Sequence, residues 1–157
     1  MSNSSNIASI ALLAFMIGNV PRDHSGWRGL VPLHSKRVDV ERLLGPALGS
    51  CHCEYKFGGD NVSVQYSEEP CAGEPAWNVP RDTVINISVY PHDKPKVSEL
   101  DLDFNKYVKV PDKEIIGAYD YVNDKDGVTL SVDGGFVNGF YYTPKKRDQR
   151  MRCQSKR

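Results

Sequence analysis

Residues 1–20 contain no Lys, Arg, Asp or Glu, and that missing charge separates them from everything that follows. Within them, Ile7 to Val20 (IASIALLAFMIGNV) is a 14-residue apolar run. A run of that length is too short to cross a bilayer comfortably and suits the apolar region of a secretory signal. Two expected features of a signal are missing: a basic residue before the run and a small-x-small pair just after it. Chemical motifs are missing as well. The chain has no G-x-S-x-G elbow, no catalytic Cys–His signature, no phosphate loop and no dinucleotide fingerprint, so no cofactor is implied. Nor does it have a C-x-x-C redox pair, or a second Cys/His pair at zinc-site spacing.

The sequence is also short of helix. Only Trp27 to Pro46 (WRGLVPLHSKRVDVERLLGP) carries a convincing helical pattern. Pro32 forces Val31 toward an extended conformation, so the segment enters as an arm. Ser35 is the expected cap, and Val40, Leu43 and Leu44 form one apolar stripe with Val38 near its edge. Gly45-Pro46 is a stop, since glycine takes the left-handed position and proline cannot continue the helix. About ten residues of helix are unstable alone and must dock on a sheet.

The rest reads as strands. CHCEYKF (51–57) alternates, Gly58-Gly59 turns the chain, and NVSVQYS (61–67) runs back. A Pro/Gly-rich connection, 67–82, precedes TVINISVY (83–90), whose β-branched residues suit a central strand. The segment 99–104 alternates acid and apolar residues and reads as an extended arm on the body, with Glu99, Asp101 and Asp103 as a solvated face. AYDYVN (118–123), VTLSV (128–132) and FVNGFYYTP (136–144) form a second meander. Asn123 to Gly127 superficially matches a calcium loop, but Val122 would be its first ligand, so a hairpin turn is expected. The two halves echo each other, VINISVY being answered by FVNGFYY. We therefore expect an α+β fold: an antiparallel sheet of about six strands, in two three-stranded meanders, with one principal amphipathic helix. Residues 1–26 are leader and linker, 27–144 one domain, and 145–157 a basic tail.

The net charge of zero is unevenly spread, because residues 145–157 hold seven of the 20 bases and one of the 20 acids. A solvated tail is the ordinary reading, and nucleic-acid binding is not expected, because no aromatic residue interleaves with the bases. Four cysteines, Cys51, Cys53, Cys71 and Cys153, fit disulfides in an exported domain and allow three pairings. The sequence leaves the pairing open; Cys71–Cys153 is the bridge that would tie down the most mobile chain. Cys51-His52-Cys53 is the nearest approach to a metal or thiol site. In a strand, however, the two thiols face opposite to the imidazole, and only His92 could add to them. The best binding candidate is Trp77, between Pro75 and Pro80, as a rigid aromatic anchor on the 67–82 loop.

The run WRGLVPLHSKRVDVERLLG, the cysteine-flanked hairpin and WNVPRDTVINISVYP together resemble a group of uncharacterised exported bacterial proteins, across residues 27–153. More loosely, a short helix ending LLG-x-P before a three-stranded meander is similar to the small lipoprotein of the outer-membrane β-barrel assembly machinery. The tandem arrangement resembles the β-lactamase inhibitor protein. The chain departs from them in lacking a lipid-acceptor cysteine and a clear second helix. The resemblance implies bacterial export and protein binding without catalysis. The expected setting is periplasmic or extracellular, with another envelope or extracellular protein as partner. Membrane association is expected only through the apolar run, as an uncleaved anchor. The alternative is a thiol- or metal-dependent enzyme centred on Cys51, His52 and Cys53.

Overall fold

A computed structural model describes residues 26–49 and 53–154. Helix α1 spans Arg37–Leu44. Seven strands follow: β1 (Glu54–Phe57), β2 (Asp60–Tyr66), β3 (Val84–Tyr90), β4 (Val108–Pro111), β5 (Tyr119–Asn123), β6 (Val128–Asp133) and β7 (Phe136–Tyr142). They form one antiparallel sheet in the order β1-β2-β3-β7-β6-β5-β4. The fold is α+β, with one strand more than the sequence suggested. The extra strand is β4, four exposed residues at an edge. Its VKVP is too short and too close to a proline to stand out as a strand.

The order is a palindrome of two meanders. The echoing strands β3 and β7 meet at its centre and pair antiparallel through Ile87↔Tyr142, Ser88↔Tyr141 and Val89↔Phe140. Register then fixes which side chains share a face. On one face, Val64, Ile87, Tyr142 and Val128 follow one another from strand to strand, as do Val62, Val89, Phe140 and Leu130. This is the core face. Its first half is closed by α1 through Val40, Leu43 and Leu44, together with Trp27 and Leu30 of the preceding arm. Its second half is closed by Val97, Leu100, Leu102 and Tyr107. Phe140 and Tyr142 pack against both clusters, so the core is continuous across the seam.

The segment answering α1 is thus an arm, as the alternation implied. It bends through two 3₁₀ turns, Val97–Glu99 and Phe104–Lys106. The helix cap differs from expectation. Ser35 Oγ accepts from the Val31 amide at 2.9 Å, inside the arm. The helix begins one residue later, where the Asp39 carboxylate accepts from the Lys36 amide at 2.9 Å. Its end is as read: Gly45, at φ 81°, donates to the Glu41 carbonyl. At 123–127 the chain makes a hairpin turn, the Asn123 side chain accepting from the Asp126 amide at 3.1 Å. A Cβ at Gly127 would lie 2.2 Å from the Thr143 carbonyl oxygen, which leaves room for glycine alone.

Two outcomes test this packing. Leu130 is fully buried, so Leu130→Ala should cost about 2–5 kcal/mol, read as a lower urea midpoint at unchanged slope. Burial, with Tyr107 close by, pushes the Tyr142 hydroxyl up to about 12. The unfolded chain ionises this group near pH 10. Its contribution is therefore complete below pH 10 and is lost as pH rises toward 12. Tyr142→Phe should flatten the alkaline decline in stability measured by urea titrations across that window.

Candidate functional site

Among the described residues, the second face of the sheet has no such cover. Register places Glu54, Ser63, Ser88, Tyr141, Thr129, Val122 and Val108 in one row crossing all seven strands. None of these residues is buried, and none belongs to an apolar cluster. The row carries a single charge, Glu54, at its outer end.

Tyr141 is the centre of this face. Gly139, two residues earlier on β7, points the same way and has no side chain. A Cβ there would lie 3.0–3.2 Å from the Tyr141 ring and hydroxyl. The ring therefore lies back over the glycine, an arrangement in which an aromatic shields bare backbone. Tyr90 meets Tyr141 edge-on, with ring centres 6.0 Å apart. Desolvation raises the Tyr141 pKa, and the Tyr90 hydroxyl and the Asp120 carboxylate raise it further, so the hydroxyl is neutral at physiological pH. Toward β4 the face becomes apolar. Val108 and Val110 are 67% and 44% exposed there, and the adjoining loop 112–118 presents Ile115 and Ile116 at 56% and 103%. That loop is ordered by Asp112, whose carboxylate accepts from the amides of Glu114 and Ile115 and is thereby held below the usual carboxylate range.

Trp77, Cys71 and Cys153, singled out from the sequence, lie elsewhere, at one end of the sheet. Trp77 is only 4% exposed and packs with Leu33, Val79, Ile85 and Met151. It cannot serve as an exposed anchor. The reason is the C-terminal segment, which the sequence suggested as a solvated tail. As far as Gln154 it is folded onto the body. A 3₁₀ turn spans Lys146–Met151, Asp148 is buried, and Arg152 forms a β-bridge with Trp77. The Asn78 amide donates to Met151, and the Cys153 amide donates to Ala76. Cys71 and Cys153 are disulfide-bonded, locking loop to tail. Cys53 is disulfide-bonded too, while Cys51 and His52 lie outside the described residues. Among the described residues, no group of three His, Cys, Asp or Glu side chains could hold a metal ion.

The sequence analysis did not pick out the residues of this face. The available signal was G-F-Y at 139–141, a glycine and a tyrosine two apart on a central strand. The position of Val108 and Val110 depends on a strand pairing that no local pattern announces.

The clasp makes a direct prediction. Cys71 and Cys153 are 82 residues apart, so replacing both with Ser should cost about 4 kcal/mol if loop-closure entropy dominates. The urea midpoint should fall accordingly, and tryptophan emission should shift to the red as Trp77 loses its cover.

No protein-family model, no curated protein and no solved structure matches the chain, so its own geometry is what bears on its role.

Proposed function

We propose that the chain is a non-catalytic, exported binding module whose partner is another protein, docked on the open sheet face. The observation that carries this reading is the row through Ser88, Tyr141, Thr129, Val122 and Val108. It is partly aromatic, short in side chains, and free of charge except at one end. Interfaces between proteins favour tyrosine at their centre and exclude charge from it. A nucleic acid would need cations on this surface for its phosphates, and the row has none. The Cys71–Cys153 bond supports an oxidising compartment, and the apolar run at 7–20 supports export.

Site-specific photo-crosslinking in the producing cell tests the reading. A crosslinker at Ser88 or Thr129 should give one discrete adduct with a protein, while one at Glu41, on the exposed side of α1, gives none. Tyr141→Ser should weaken that complex about thirtyfold, corresponding to ~2 kcal/mol at an anchor. Equal labelling from both positions, or none from the sheet face, overturns the proposal. Fractionation should place the protein outside the cytoplasm.

A further inference from the structure

At the end of the sheet where loop and C-terminal turn meet lies a cleft of about 530 Å³. That volume is in the range of small-molecule sites. Its apolar lining includes Trp77, Ile85 and Pro144, and its charged lining is Lys146, Arg152 and Asp124. Neither Lys146 nor Arg152 forms an ion pair among the described residues. The Arg152 guanidinium sits 6.0 Å from the centre of the Trp77 ring. The main chain is anchored at both residues. The Lys146 amide donates to the Asp124 carbonyl at 3.0 Å, and Arg152 is bridged to Trp77 one residue before the disulfide.

We propose that this cleft binds a small carboxylate carrying an apolar or aromatic group. The apolar group lies against Trp77 and Ile85, and the carboxylate sits between Arg152 and Lys146. The arginine fork suits a carboxylate's two oxygens, and lysine adds a point charge. The carboxylate is favoured over a neutral polar group because two bases face one acid, Asp124. This inference does not depend on the use proposed for the sheet face.

Calorimetric titration of the full, oxidised chain with N-acetyl-L-phenylalanine, and separately with its amide, tests it. The carboxylate should bind saturably and the amide about tenfold more weakly or worse, as expected for losing a charge-assisted contact. The double variant Lys146→Gln/Arg152→Gln alters two exposed side chains that form no ion pair among the described residues and should fold normally, with a similar loss. Added salt should weaken the carboxylate complex and spare any residual amide binding. Absence of saturable binding overturns the proposal. So does equal affinity for acid and amide, or a double variant that binds like the wild type.

Discussion

The molecule depends on one short pairing. Three residue pairs between β3 and β7 join two meanders whose strands, among the described residues, otherwise pair only within each meander. The pairing works because its side chains serve both halves at once. Phe140 and Tyr142 turn inward and pack against both the cluster under α1 and the cluster under the 97–107 arm. Tyr141, between them, turns outward. One strand thus supplies the bond across the seam, the common core and the centre of the open face. Those roles divide cleanly because neighbouring residues on a strand point to opposite sides.

That economy also explains what each half needs. Each meander has a bare apolar face, and each finds a different cover, a helix in one case and an irregular arm in the other. The arm works without helical periodicity because Val97, Leu100, Leu102 and Tyr107 need only reach one surface. Its hydrogen bonds include local ones, Tyr107 to Phe104 and Leu100 to Val97, and one to the body, from the Val97 amide to the Gly135 carbonyl. The centre of the outer face is open among the described residues, its side chains being hydroxyls and a folded-back aromatic.

Much of this was legible in the sequence. The alternation in CHCEYKF, NVSVQYS and VTLSV located strands, the LLGP stop located the end of the helix, and the VINISVY and FVNGFYY echo named the two strands that meet. What could not be read depended on distant chain. Ser35 looked like a cap but serves the arm, because Asp39 reaches the first free amide instead. The basic residues after 144 read as solvated, yet Lys145 and Asp148 are buried. Trp77 read as an anchor for a partner, and it is the chain's own C-terminal segment that claims it. Strand β4 exists only because β5 is beside it.

The Cys71–Cys153 bond has a consequence for what a protease can do to the chain. It closes a covalent ring around β3 to β7, and the most exposed apolar loop, 112–118, lies inside that ring. A cut at Ile115 or Ile116 therefore opens the ring without releasing a fragment. The nicked chain stays one molecule, its two pieces held together by sulfur and by the β3–β7 and β4–β5 pairings. Damage at the most vulnerable point then leaves the sheet intact.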